Sequence, residues 1–153
     1  MKRLDKKRIL ALSSGGGHWV ELLRLRPAFA GHEVTFATVD AHYQADVPDA
    51  RFYVIPDATQ ARKVLSLWCA IRILVLLWRV RPHVVISTGS APGYIAVRLA
   101  SWLGARTLWL DSLANVDCLS VAGQRIGKHA DLWLTQWAHL AREDGPQCHG
   151  LVV

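Results

Sequence analysis

The 153-residue sequence lacks most of what marks a secreted, metal-bound or membrane-spanning chain. Its three cysteines, Cys69, Cys118 and Cys148, are odd in number, widely spaced and without a Cys-x-x-Cys pair. That argues against a disulfide frame or zinc site and fits reduced thiols in a cytosolic compartment. The seven histidines show no His-x-x-x-His or comparable spacing, so no metal is expected. The basic start is followed by only four apolar residues before Ser13, too few for a signal-peptide core. No linker, internal repeat or low-complexity segment occurs. The apolar run 64–78, from Val64 to Trp78, is broken by Ser66 and Arg72. A helix of that length covers roughly 22 Å against roughly 30 Å of hydrocarbon, and a central arginine is costly there, so it makes a poor transmembrane span.

What is present points to one α/β domain. Apolar residues make up 52% of the chain, enough for a core, and the length suits a single domain. Strand-like runs at 9–12, 34–38, 52–55, 84–87, 107–110 and 132–135 alternate with helical stretches near 19–29, 62–80 and 92–103. A short helix is expected around 138–142 and another within 114–128. Such alternation predicts a Rossmann-like, mainly parallel sheet with helices on both faces, whose ligands gather at the carboxyl ends of the strands. Residues 1–8 are expected to form a basic tail and 9–153 the domain. Net charge is +6, with Lys2, Arg3, Lys6, Lys7 and Arg8 at the start. Such a cluster is a solvated tail or meets anionic lipid. No recognition-helix pattern or aromatic ladder supports nucleic acid.

Two glycine turns carry the candidate chemistry. The first, Ser14-Gly15-Gly16-Gly17-His18, joins an apolar strand to an amphipathic helix, where backbone N–H groups form a ready phosphate site. No lysine followed by serine or threonine closes it, and Val20 stands where Gly-x-Gly-x-x-Gly needs its last glycine. Asp40 lies near where a dinucleotide fold wants an acid, which keeps that reading open. The second turn is Thr88-Gly89-Ser90-Ala91-Pro92-Gly93, with Ser90 suited to cap the following helix. His18 either caps its own turn or acts as a base. The positive end of the helix dipole favours the neutral ring that a general base requires. Glu21, three residues on, either orients the imidazole or the turn, or is solvated. Asp111 closes an apolar strand before Ser112, at an edge where sites form.

The run 64–78 has a second reading besides packing on the sheet. Trp68 and Trp78 bracket it, and Arg62, Lys63, Arg72, Arg79 and Arg81 supply positive charge. Tryptophan and arginine around a leucine-rich helix is the composition of an interfacial anchor.

Taken in order, Ser14 to His18 with Glu21 and Leu22, Arg81-Pro82-His83 through Gly89 with Pro92 and Gly93, Asp111-Ser112, Gly127, Ala130-Asp131-Leu132 and Gln136-Trp137 resemble a known family. It is the acceptor-side, membrane-associating subunit of two-component glycosyltransferases. These comprise the dolichol-linked N-acetylglucosaminyltransferase subunit and its bacterial polysaccharide-biosynthesis counterparts, equivalent to the N-terminal half of a GT-B enzyme. The chain departs from that family at Ser14, where glycine is frequent, and at Asp111, where glutamate is frequent. The resemblance implies an inverting transfer from a UDP-sugar to a polyprenyl-diphosphate-linked acceptor, without a cofactor. The UDP-sugar site would lie on a small C-terminal-half partner. It also implies that the glycine turns (Ser14, Gly15, Gly16, Gly17, Thr88, Gly89, Ser90, Gly93) and Glu21 hold the acceptor's head, with His18 and Asp111 catalytic. Trp68, Arg72, Trp78 and Arg79 would meet the membrane, at the cytoplasmic face of the plasma membrane and peripherally. Two alternatives stay open: a membrane recruiter without catalytic residues, and a stand-alone nucleotide-binding module.

Overall fold

The computed structural model describes residues 5–58 and 62–152. Lys2 and Arg3 of the basic start lie outside the described residues. The central strand, β1 (Arg8–Leu12), explains the architecture from its sequence. Its run Ile9-Leu10-Ala11-Leu12 is buried throughout because helices cover both faces of the sheet. Ile9 and Ala11 meet Trp19, Leu22, Phe29 and Phe36 on one face. Leu10 and Leu12, pointing the other way, meet Cys69, Ile73, Leu76, Ala96 and Ala100. Burial beside the Asp57 charge pushes the Cys69 thiol up to about 11, leaving it an inert core group.

The chain continues through α1 (Gly17–Arg24), β2 (Glu33–Thr38), β3 (Arg51–Val54), α2 (Lys63–Val80), β4 (Val84–Ser87) and α3 (Ser90–Trp102). It ends with β5 (Arg106–Leu110), α4 (Val121–Ile126), β6 (Leu132–Thr135) and β7 (Gln147–Cys148). All strand pairs are parallel, in the order β3-β2-β1-β4-β5-β6-β7. The chain runs outward from β1 to β3, then returns through α2 to place β4 on β1's other side. That reversal puts a topological switch point between β1 and β4, where open sheets bind ligands.

The Rossmann-like sheet expected from the sequence is present, with local differences. The helix expected over 19–29 stops at Arg24, and a short 3₁₀ turn, Arg26–Phe29, follows where Pro27 cannot continue α-helical bonding. The stretch 114–128 is helical only over Val121–Ile126, capped by Ser120, whose hydroxyl accepts from Gly123 N–H at 2.8 Å. The helix near 138–142 is one 3₁₀ turn, Ala138–Leu140. The two-residue β7 is too short and polar to show periodicity. Arg8, assigned to the tail, instead opens β1: its N–H donates to His83 Nδ1 at 3.0 Å and its Nε to the Arg81 carbonyl at 2.9 Å. α2, by contrast, matches the helix expected over 62–80 within one residue and is closed by Arg81 in the left-handed region (φ 46°).

Candidate functional site: a cleft at the β1–β4 switch point

Because β1 and β4 are adjacent and parallel, the loops leaving their carboxyl ends lie side by side. Three hydrogen bonds join them. Ser14 N–H donates to Ser90 Oγ at 3.1 Å, and Thr88 Oγ1 donates to the His18 carbonyl at 2.6 Å. His18 Nδ1 lies 3.0 Å from the Thr88 carbonyl oxygen. A carbonyl only accepts, so the proton is on Nδ1 and the neutral ring keeps its lone pair on Nε2. Gly89 lets the ring lie there. Its φ is +130°, and an added Cβ would stand 2.6 Å from two ring atoms of His18.

His18 borders a cleft of about 590 Å³. Ser90, Tyr94, Asn115, Ser120 and Arg125 supply its polar wall; Ala91, Ile95, Val121 and Ala122 supply an apolar one; Ser66 reaches it from α2. A hollow of about 650 Å³ at the opposite edge, between Lys6, Arg26, His32 and Arg51, shares no residue with the cleft and lies at the wrong end of the strands for ligands of an open sheet.

The predicted residues divide by location. His18 and Ser90 line the cleft. Thr88 and Gly89 are buried beneath His18 and hold it. In the first turn, Gly16 N–H donates to Tyr43 OH at 2.8 Å, and Tyr43 packs over the missing Cβ of Gly15. With Ser14 N–H bonded to Ser90, two of that turn's donors are therefore engaged; Gly17 opens α1. Ser90 is not the helix cap expected: Gly89 takes that position and the Ser90 hydroxyl turns to Ser14. Gly93 is not at a ligand surface. It is buried within α3, where an added Cβ would stand 2.1 Å from Ser87 Oγ, so it serves helix-to-strand packing.

Glu21 makes no hydrogen bond to His18. Its Oε1 accepts from Ser112 Oγ at 3.2 Å and Leu113 N–H at 2.7 Å, tying α1 to the loop after β5, while its buried Oε2 has no partner among the described residues. Asp111 is buried, and its carboxylate accepts from Trp109 Nε1, Asn115 Nδ2, Ser120 N–H and Ser120 Oγ at 2.6–3.2 Å. A carboxylate so enclosed orders the cleft wall that carries Asn115 and Ser120, which does not suit the catalytic role expected of it. Asp40 accepts from the His42 backbone N–H and ring, which hold its carboxyl below the usual value. Tyr43, Tyr94, Asn115, Ser120 and Arg125 were not legible as site residues: Tyr94 lies within α3, and the others lie on loops or short helices without a motif.

No family model matches the chain. Among curated proteins it is 22% identical to the UDP-N-acetylglucosamine transferase subunit ALG14 of Yarrowia lipolytica, over 95% of this chain and 81% of that one. Among solved structures it superimposes on MurG of Acinetobacter baumannii with a TM-score of 0.73 at 12% identity, covering 92% of this chain and 47% of that one. A UDP-N-acetylglucosamine 2-epimerase from Rickettsia bellii gives 0.68 at 11% identity, covering 88% and 40%. The chain thus spans less than half the length of either structure. In sequence and fold it resembles a GT-B-type glycosyltransferase subunit, matching the N-terminal Rossmann-like half. The epimerase shares that fold, so the fold alone does not choose between transfer and epimerisation; the sequence relative is a transferase subunit.

The outer face of α2 is apolar and unpartnered among the described residues. Its inner stripe, Cys69, Ile73, Leu76, Leu77 and Val80, packs on the sheet at helical spacing. The outer stripe, Val64, Leu67, Trp68, Ile71, Val75 and Trp78, is solvent-exposed, Val64 at 81% and Trp78 at 69%. Trp102 and Leu103, at the end of α3, are exposed too and were missed in the sequence. Arg72 lies over Trp68, Arg81 over Trp78 and Arg98 over Trp102, each within 6 Å of the ring centroid. Arg79 and Arg72 flank a narrow crevice against Tyr53 and Ile55, on the β3 side of α2. No helix of the described residues is long and apolar enough to cross a membrane.

Asp111→Asn tests whether that carboxylate is structural. The amide would turn N–H groups toward donors, so stability is expected to fall by about 2–4 kcal/mol, the cost of disrupting a buried charged network. Urea unfolding measures it; an unchanged midpoint would return Asp111 to the list of reacting groups.

Proposed function

We propose that the chain is the acceptor-binding, membrane-associating subunit of a heteromeric inverting glycosyltransferase, moving a sugar from a UDP-sugar to a polyprenyl-diphosphate-linked acceptor. The observation that carries this reading is the His18 ring at the cleft, its Nδ1–H committed to Thr88 and its Nε2 without a hydrogen-bond partner among the described residues. Nε2 accepts the proton of the acceptor hydroxyl as that oxygen attacks the anomeric carbon. The bond from that carbon to UDP breaks, UDP leaves with the electron pair, and the configuration inverts. UDP and its sugar are held by a partner, as befits a chain whose relative is itself a subunit. Asp111, Thr88 and Gly89 position the cleft and its histidine. The single domain docks peripherally at the cytoplasmic face, through the outer stripe of α2 and the end of α3, where a polyprenyl acceptor is embedded.

The purified chain is expected to transfer no sugar alone and to gain activity on mixing with a nucleotide-sugar-binding partner. In that mixture His18→Ala should lower kcat by roughly two to four orders of magnitude with folding and pairing intact. His18→Gln keeps a hydrogen bond but no basic nitrogen. Equal loss in both variants marks base catalysis; recovery in Gln marks orientation of the acceptor; near-normal turnover in both removes His18 and favours the recruiter reading.

Membrane docking is checked by flotation with vesicles containing anionic lipid. Binding should weaken as salt rises, since exposed charges are screened, and should weaken again in Trp68→Ala/Trp78→Ala. Binding that survives both would contradict a peripheral, α2-mediated contact.

A further inference from the structure

We propose that Arg125, on α4, holds the diphosphate of the lipid-linked acceptor, with the Tyr94 hydroxyl beside it; the assignment rests on the acceptor-binding reading above and gives the anion a different place from the glycine turns. Arg125 and Tyr94 line the His18 cleft and also an adjoining groove of about 690 Å³ between α3 and α4. Among the described residues, no carboxylate lines the cleft, and Arg125 is its one guanidinium. The groove beyond adds Arg98 and Lys128 against a single acid, Asp144. None of these cations enters an ion pair among the described residues. The positive groups therefore form a track that starts in the His18 cleft, with charge to spare for an anion.

The glycine turns are less available than their sequence suggests. Ser14 N–H is held by Ser90, Gly16 N–H by Tyr43, and Gly89 N–H by Ser87 Oγ. A guanidinium matches adjacent phosphate oxygens in a bidentate manner that backbone donors already in use do not. The apolar side of the same cleft, with Ile95 and Val121, gives the first isoprene units a surface next to the charge. Arg98, stacked on Trp102, continues the positive track to the exposed apolar end of α3. One ligand with a polar sugar, a doubly charged linker and an apolar tail thus finds a matching surface for each part.

The test is calorimetric titration of the full chain with farnesyl diphosphate and with inorganic pyrophosphate. Arg125→Gln is expected to bind both about ten- to hundred-fold more weakly, the range for losing a charged hydrogen-bonded contact. Arg125→Lys should fall between, keeping the charge and losing the fork. Arg125 is solvent-exposed, so both variants should unfold at the wild-type temperature; a lowered midpoint in both would overturn the assignment by making Arg125 a structural residue. Farnesyl diphosphate should bind more tightly than pyrophosphate, and flotation on anionic vesicles should be unchanged in Arg125→Gln. Unchanged farnesyl diphosphate affinity in Arg125→Gln overturns the assignment and leaves the diphosphate at the glycine turns. Loss of flotation without loss of diphosphate binding also overturns it, making Arg125 a lipid-surface contact. Failure of the wild-type chain to bind either probe overturns the acceptor reading itself.

Discussion

The reciprocal bonds between His18 and Thr88 are the contact on which the candidate site depends. Each residue gives one side-chain donor to the other's carbonyl, across 70 positions of sequence. They meet only because β4 pairs with β1 in parallel, register Ile9 with Val84 through Leu12 with Ser87. That pairing brings both strand ends to the same level, so the turns that follow are face to face. Gly89 then removes the one side-chain carbon that would push the imidazole away. The histidine's tautomer is in this sense a consequence of sheet topology. Any change that shifts β4 against β1 would move the imidazole before it disturbed the core.

Around this clamp, buried polar groups hold walls in place without facing the cleft. Glu21 links α1 to the loop after β5, and Asp111 gathers Trp109, Asn115 and Ser120. Both are acids that sequence reasoning placed near the chemistry. Their burial indicates why that happened: a carboxylate at a strand's carboxyl end looks the same in sequence whether it faces ligand or closes its own loop. Only its hydrogen-bond partners distinguish the two, and those partners lie up to 92 residues away.

Much of the fold was legible because it rests on short-range signals. Continuous apolar runs bounded by glycine and proline gave six of the strands close to their places, and the alternation with helices gave a parallel sheet. The site was legible only where a motif coincided with topology, at His18 and the two glycine turns. Arg125 and Tyr94 carry no such signal, since an arginine in the last turn of a short helix reads as a solvated end. Gly93 was misplaced for the opposite reason: a glycine at the end of a glycine-turn motif reads as part of a ligand cradle, and its role is set by Ser87 across the helix–strand contact. The two-sided apolarity of α2 was visible as composition, but which tryptophans face outward depended on the sheet it packs against.

The most direct measurement is the tautomeric state of the neutral His18 ring, read by long-range ¹H–¹⁵N NMR on the labelled chain. The clamp predicts a single Nδ1–H form, with a protonated nitrogen at Nδ1 and a lone-pair nitrogen at Nε2, and predicts that Gly89→Ala, which displaces the ring, abolishes that preference. A ring protonated at Nε2, or one averaging between both forms in the wild-type chain, would contradict it and leave no fixed lone-pair nitrogen at Nε2.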